Sequence, residues 1–152
     1  MIMSDIKIRL YNFCFEYAEE RILNATEAIK AARDSSTDDT KSSAGDKYET
    51  GRAMMQQDID RQTLQLGEAQ KLKGLLERIE PGKITHTVQN GSLVYTNQGV
   101  FYIAISAGIT EIDRQNYFIV SAASPIGSQL LKKTAGDKFS FNGKQYEIKS
   151  IE

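Results

Sequence analysis

The first 80 residues of this chain contain no proline, and helical periodicity dominates them. Apolar residues recur there at steps of three and four, which places them along one face of an α-helix. They form two series: Leu10, Phe13, Cys14, Tyr17, Ile22, Ala25, Ile29 and Ala32, and then Met55, Ile59, Leu66, Ala69, Leu72, Leu76 and Ile79. The two series predict two amphipathic helices of about 30 residues each.

A polar stretch from Asp34 to Asp46 separates the two series, and turn-forming and cap-forming residues replace apolar ones in it. One polar bend between two long helices predicts an antiparallel coiled-coil hairpin with arms of about 45 Å. Gln62 and Lys73 stand where a heptad pattern would place leucine. The contact between the helices is therefore expected to be thin, and the hairpin is expected to project from the rest of the protein.

Pro81-Gly82 marks a change of pattern, because strand-like runs of β-branched and aromatic residues follow it. These runs are Val94–Thr96, Val100–Ile105, Tyr117–Val120, Lys138–Phe141 and Tyr146–Ile148. Asn97-Gln98-Gly99 and Asn142-Gly143 are turn signals between neighbouring runs, and Gly108 to Asn116 is expected to be a connection. The sequence predicts an α+β fold: a helical hairpin domain at 1–80, then an antiparallel sheet domain with one short helix at 81–152.

The charges of this chain nearly cancel, with 19 basic and 20 acidic residues and a net charge of −1. No general attraction to nucleic acid or to an anionic membrane is expected, so we expect no independent DNA binding. Asp5, Lys7 and Arg9 interrupt the apolar positions near the start, which argues against a signal peptide, and no run approaches transmembrane length. We expect a cytoplasmic protein without membrane contact.

Catalytic residue patterns are missing from the sequence. Cys14 is the one cysteine and His86 the one histidine, so no intrinsic metal cluster or thiol–imidazole pair is expected. Gly91, Gly99 and Gly108 fit strand turns rather than a phosphate-binding loop. We expect a protein that is not itself an enzyme.

The run from Ser124 to Asp137 has a characteristic layout: Ser124-Pro125-Ile126-Gly127, then Leu130-Leu131, two lysines and Gly136-Asp137. Ser124 is suited to cap a short helix, Pro125 to occupy its first position, and Gly136 to end the segment before a strand. The run resembles the C-terminal, FKBP-like domain of the bacterial Gre transcript-cleavage factors. The segment from Lys47 to Ala53 is similar to that family's tip segment, with Tyr48 and Arg52 at the matching positions.

The resemblance extends from about Ile22 to Glu152 and implies an RNA polymerase-binding protein. In the Gre family the globular domain docks at the rim of the polymerase's secondary channel, and the coiled coil reaches toward the active centre. Two acids at the tip help to hold a magnesium ion and a water that hydrolyse a backtracked transcript. The resemblance implies no cofactor of the protein's own, and contact with nascent RNA only through the polymerase, beside Lys30, Arg33, Arg52 and Arg61.

This chain departs from the family at the tip. The family's acids lie seven and four residues before the tip tyrosine, and counting back from Tyr48 gives Lys41 and Ala44, which cannot ligate magnesium. The remaining candidates are Asp38, Asp39, Asp46 and Glu49. These residue types also serve as turn and helix-cap residues. Stimulation of the polymerase's own transcript hydrolysis and modulation without cleavage therefore both stay open.

A second departure lies at the docking surface, for which Ser124, Pro125, Ile126 and Gly127 are the candidates. Ala123 precedes them, where the family often has an acidic or amide residue. The same four residues also suit a capped helix that packs on a sheet. The alternative function is a non-catalytic interaction module, in which the coiled coil pairs with another protein or a second copy and has no relation to polymerase.

Overall fold

The computed structural model describes residues 5–39 and 46–152, and of residues 36–39 and 46–49 it describes the backbone alone. The predicted tip positions Lys41 and Ala44 lie outside the described residues. The elements, in chain order, are α1 (Asp5–Asp39), α2 (Asp46–Glu77), β1 (Leu93–Thr96), β2 (Gly99–Ala104), β3 (Gly108–Ile112), β4 (Gln115–Ser121), α3 (Pro125–Leu130), β5 (Lys138–Phe141) and β6 (Lys144–Ile151).

Helix α1 continues further than the sequence predicted. The polar stretch was expected to break the helix from Asp34, but the helix runs to Asp39 and the second begins at Asp46. The residues from Asp34 to Asp39 include no glycine or proline. Serine, threonine and aspartate each cost a helix only about half a kcal/mol, and adding a turn to an existing helix is far easier than starting one.

The described chain forms two compact units, which are treated separately below. One contains Tyr17–Lys73, and the other contains the residues up to Glu16 together with Gly74–Glu152.

In the Tyr17–Lys73 unit the two helices run antiparallel. A Lys73 Nζ–Glu19 Oε1 ion pair of 3.5 Å and an Arg21–Gln65 hydrogen bond of 3.2 Å join them. Small side chains fill much of the contact: Ala18, Ala25 and Ala69 are buried. Gln62 and Lys73 are half-buried along the same line, as the heptad pattern predicted. The contact between the helices is therefore thin.

The other unit is built on a six-stranded sheet with the order β3-β4-β2-β1-β6-β5 in the part of the chain that the structure describes. Every neighbouring pair is antiparallel except β2 and β4, which are parallel from Val100↔Tyr117 to Ala104↔Ser121. The expectation of a wholly antiparallel sheet is thus wrong at one pair. Strand β3 lies outside β4, so β4 returns beside β2 in the same direction.

The predicted connection from Gly108 to Asn116 contains strand β3 and a tight turn. Asp113 and Arg114 both have positive φ, 52° and 66°, as a two-residue hairpin turn requires. The predicted turn at Asn142-Gly143 also has positive φ at both residues, 50° and 76°. Asn142-Gly143 is a standard sequence for this geometry, whereas Asp113-Arg114 is not, so only the former was predicted.

Side chains of alternate strand residues point to opposite faces of this sheet. On one face, α3 packs over a core of Val88, Val94, Phe101, Ile103, Leu130 and Ile148. Leu10, Cys14, Leu93, Tyr102 and Ile119 are also buried in this unit. The α+β architecture that the sequence predicted, a helical hairpin followed by a mostly antiparallel sheet with one short helix, is confirmed for the described residues.

Candidate functional site

Two regions contain the predicted site residues: the end of the hairpin and the segment around α3. At the hairpin end, Asp38 and Asp39 are the last residues of α1, while Asp46 begins α2 and Glu49 lies in its first turn. The backbone thus places all four at the same end of the antiparallel pair. Of their side chains the structure describes nothing.

The two pairs of acids differ in what they do for their helices. The N-terminus of a helix carries partial positive charge, which favours acidic residue types at positions such as 46 and 49. Their spacing also matches a reciprocal cap, in which an N-terminal side chain and the third residue after it satisfy each other's backbone N–H groups. Asp38 and Asp39 lie at the negative C-terminus of α1, and no basic residue stands in its last turn. An acidic residue is an unfavourable type at such a position.

Tyr48 and Arg52 both lie in the first two turns of α2, four residues apart. Arg52 is exposed. Among the side chains that the structure describes, no three carboxylate, imidazole or thiol groups come together to hold a metal ion.

Ser124 is built into the start of α3. It is the N-cap residue, its Oγ accepts a hydrogen bond of 3.1 Å from the Gly127 N–H, and it donates one of 2.7 Å to the Ser121 carbonyl. The Ser124 hydroxyl thus both donates and accepts a hydrogen bond within the fold. Pro125 occupies the first helical position, as predicted, and is exposed.

Gly127 lies where the helix approaches the end of β4. A Cβ at this position would lie 1.9 Å from the Ser121 carbonyl oxygen, so no side chain fits. Ile126 is half-buried and packs against the core. Of the four predicted docking residues, Pro125 is the one that the fold leaves most available to a partner.

An aromatic surface beside α3 was not predicted as a site. The Phe139 and Tyr146 rings stack at 5.0 Å, the Phe101 and Phe118 rings stack at 5.2 Å, and Phe141 meets Tyr146 edge-on at 6.3 Å. Phe118, Phe139, Phe141 and Tyr146 are only half-buried. The alternation of Phe139 and Phe141 in β5, followed by Tyr146 in β6, is the signal that could have located this surface. Partly exposed aromatic rings are the residues that protein interfaces favour.

A buried lysine was also missed. Lys7 is 1% exposed, and its ammonium donates a hydrogen bond to the Lys83 carbonyl. Burial lowers the pKa of Lys7 to about 8, with a further lowering from the Lys83 charge and an opposing effect of Glu152. Nearby, Tyr95 donates a 2.7 Å hydrogen bond to Glu152 Oε2. The sequence places Lys7 among the polar residues of a helix start and gives no sign of its burial.

Cys14 has no reactive character. It is fully buried, and burial raises the pKa of its thiol to about 12. Since the thiolate is the nucleophilic form, a thiol held protonated in this way is not suited to catalysis. This agrees with the sequence interpretation of Cys14 as a small buried apolar residue.

No helix within residues 5–39 and 46–152 is both long and apolar enough to span a bilayer.

Comparison with known proteins identifies no family for this chain. No family model matches the chain, and no curated protein matches it. A similar solved structure is that of the transcription factor Gfh1, at 17% sequence identity, covering 98% of this chain and 95% of that chain with a TM-score of 0.35. A TM-score of 0.35 supports no inference about fold or function.

Proposed function

We propose that this protein is an RNA polymerase-binding factor of the transcription elongation type, whose helical hairpin enters the secondary channel of the enzyme. The observation that carries the proposal is the end of the hairpin at which α1 ends and α2 begins. Six residues separate Asp39 from Asp46, and carboxylate residues lie on both sides of that connection.

The dimensions of the Tyr17–Lys73 unit suit such a role. From Tyr17 to Asp39 the first arm rises about 35 Å, and two packed helices are about 20 Å across. A long, narrow element with acids at its end can bring charge into a pocket that a globular surface cannot reach. The Ser-Pro segment and the Tyr48-Arg52 pair resemble the Gre family. This resemblance favours RNA polymerase as the protein that contains the pocket.

The proposed effect is modulation of the polymerase rather than catalysis by this chain. Two-metal phosphodiester hydrolysis needs carboxylate oxygens on the second magnesium ion, and Lys41 and Ala44 supply none. Asp38 and Asp39 lie at the C-terminal end of α1, where the helix dipole disfavours acidic residues. A structural role in the helix therefore does not account for their presence. They are therefore the residues through which any stimulation of cleavage would act.

The proposed docking surface is the exposed Pro125 together with the aromatic rings beside α3. Phe118, Phe139 and Tyr146 flank the core next to Ile126. An apolar side chain from a partner would complete the burial of these rings.

Crosslinking tests the proposal directly. A photoreactive residue in place of Ser43, between the two helices, is expected to crosslink to the active-centre region of a bacterial core RNA polymerase. The same residue in place of Gln98, in the β1–β2 turn, is the control and is expected to crosslink elsewhere or not at all. Self-association without polymerase binding would instead establish the interaction module as the function.

A further inference from the structure

The sequence contains two Asn-Gly pairs, Asn90-Gly91 and Asn142-Gly143, and the fold places them in opposite surroundings. Such a pair can react with itself, because the backbone nitrogen of the glycine can attack the side-chain amide carbon of the asparagine and close a five-membered ring. Glycine permits this attack readily, since it has no side chain that shields its nitrogen or restricts its backbone. The surroundings of each glycine nitrogen therefore decide whether its pair reacts in the folded protein.

The nitrogen of Gly91 is held inside the fold. Gly91 is buried, and its N–H donates a hydrogen bond of 2.6 Å to the Ile103 carbonyl. Nearby, the Ser92 N–H donates to the Gln89 carbonyl at 3.0 Å, which fixes the turn around Gly91. The Ile79 side chain packs so closely that a Cβ on Gly91 would lie 2.8 Å from its Cγ2. Attack by this nitrogen would require local opening of the fold.

The nitrogen of Gly143 lies at the surface. Asn142 and Gly143 are both exposed, and they are the two central residues of the β5–β6 turn, which the Phe141↔Lys144 pair closes. Within the described chain, neither the Gly143 N–H nor the Asn142 side chain has a hydrogen-bond partner. A Cβ on Gly143 would meet no atom within 4 Å, so the space around this residue is open.

One rotation of the peptide plane between Asn142 and Gly143 brings the reacting atoms together. Their φ angles of 50° and 76° are typical of a type I′ turn. Rotation of that plane gives a type II′ turn, in which the first residue keeps φ of about 60° and takes ψ of about −120°. At this ψ the glycine nitrogen lies on the same side as the asparagine Cβ, within reach of Cγ. Both turn types suit a two-residue hairpin, so the closing strand pair stays intact.

The same rotation is unfavourable at Asn90-Gly91. It would turn the Gly91 N–H away from the Ile103 carbonyl and break their hydrogen bond inside the fold, which is costly where neither group can reach water.

We propose that Asn142 is a site of spontaneous deamidation in the folded protein, and that the fold protects Asn90 from the same reaction. The Gly143 nitrogen loses its proton to base in the solvent and forms a bond to Asn142 Cγ. The Cγ–Nδ2 bond breaks, and ammonia leaves. Water then opens the succinimide ring: cleavage at Cγ gives aspartate, and cleavage at the main-chain carbonyl gives isoaspartate, in which the chain continues through the former side chain. This inference is independent of the proposed function.

The products would change the turn. Either one adds a negative charge, and isoaspartate also adds one carbon to the main chain, which the geometry of a two-residue turn does not accommodate. Strand β5 has four residues, including Phe139 and Phe141 of the aromatic surface, and β6 is its one neighbour in the described sheet. The reaction is therefore expected to loosen this edge of the aromatic surface as the protein ages.

Ageing of the full-length protein in mildly alkaline buffer, followed by tryptic digestion and mass spectrometry, tests the proposal. Trypsin releases residues 139–144 and residues 84–114 as separate peptides, so both sites are measured in one sample, with unaged protein as the background. Asn142 is expected to convert at least about tenfold faster than Asn90 in the folded protein. In concentrated urea the two rates are expected to lie within about twofold of each other, because neither pair is then protected by structure.

A variant tests the cause of the protection. Ile79→Ala removes the side chain that packs on Gly91, and it is expected to speed the conversion of Asn90 severalfold without a change at Asn142. Circular dichroism verifies that the variant is folded. An unchanged rate at Asn90 in the folded variant would contradict the protection by packing.

The identity of the product tests the ring intermediate. An isoaspartate-specific carboxyl methyltransferase with a radiolabelled methyl donor is expected to label the aged protein at residue 142, since ring opening yields isoaspartate. Aspartate without isoaspartate would mean direct hydrolysis of the amide and would overturn the proposal. So would equal rates at Asn90 and Asn142 in the folded protein, or an Asn142 that stays intact in the folded protein while it converts in urea.

Discussion

The Lys7 ammonium donates a hydrogen bond to the backbone carbonyl of Lys83, 76 residues further along the chain. The bond joins the first turn of α1 to the segment between α2 and β1, inside the unit that holds the sheet. A charged lysine that is 1% exposed is unusual, because removal of an ammonium from water is costly. Lys7 is therefore expected to have a measurable effect on how the free energy of unfolding depends on pH.

Lys7 is expected to make the protein more stable as the pH rises from 7.5 to 9. Its pKa falls from 10.5 in the unfolded chain to about 8 in the fold. Over this interval the native state loses a proton that the unfolded state keeps, so the unfolded state binds more protons and the free energy of unfolding increases, by about 1 kcal/mol. Urea unfolding of the protein and of Lys7→Met, which should lack this increase, measures the effect.

Lys144→Met, at an exposed position, is the control and should keep the increase. The raised pKa of Cys14 acts in the opposite direction as the pH approaches 9.0, the value of the unfolded thiol, and it does so equally in the protein and in both variants. There the unfolded thiol ionises while the buried one does not, which lowers stability. An equal pH dependence in the protein and in Lys7→Met would contradict the assignment.

Gly127→Ala is expected to destabilise the protein by about 3 kcal/mol or more. The added methyl group would meet the Ser121 carbonyl at 1.9 Å, and a backbone atom cannot move aside as a flexible side chain can. Thermal or urea unfolding measures the loss. Gly67→Ala is the matched control, since no atom lies within 4 Å of its added methyl group, and alanine in the interior of α2 should stabilise by about 0.5–1 kcal/mol.

Gln62→Leu is expected to stabilise the hairpin by about 1 kcal/mol. Gln62 is half-buried between the helices, where leucine would bury more apolar surface. Gln70→Leu, on an exposed position of the same helix, should change the free energy of unfolding by less than about 0.5 kcal/mol. Equal effects of the two substitutions in urea unfolding would show that position 62 is no better buried than position 70.

Asp38→Asn with Asp39→Asn is expected to raise stability while it alters the effect on polymerase. Removal of each negative charge from the C-terminal end of α1 should add about 0.3–1 kcal/mol. Glu49→Gln, in the first turn of α2, should lower stability by a similar amount. Urea unfolding and a cleavage assay on backtracked transcripts measure the two properties on the same samples. Unchanged cleavage in the Asp38 and Asp39 variant would exclude these acids from any metal role.

The elements predicted from the sequence are those with strong local signals. The repeated apolar steps of the first 80 residues mark both helices, and Asn142-Gly143 marks its hairpin turn because these residues accept positive φ readily. Ser124 and Pro125 begin α3 as expected, since capping depends on neighbouring residues alone.

The elements that were missed depend on distant partners. Strand β3 lies at an edge, and the polar Thr110 and Glu111 separate its two isoleucines, so it shows neither a continuous apolar run nor a regular alternation. Strand β3 lies outside β4, so β4 returns beside β2 in the same direction. The parallel pairing of β2 with β4 therefore follows from the position of β3.

The charged residues at the two edges of the sheet also bear on aggregation. Strands β3 and β5 are the two margins of the sheet, and each has one row of backbone groups with no neighbouring strand in the described chain. Open margins of this kind recruit strands from other molecules and start aggregates. Both are short, at five and four residues, and carry a charged side chain, Glu111 on one and Lys138 on the other. A further strand would place its backbone beside that charge, which disfavours growth of the sheet by edge-to-edge addition.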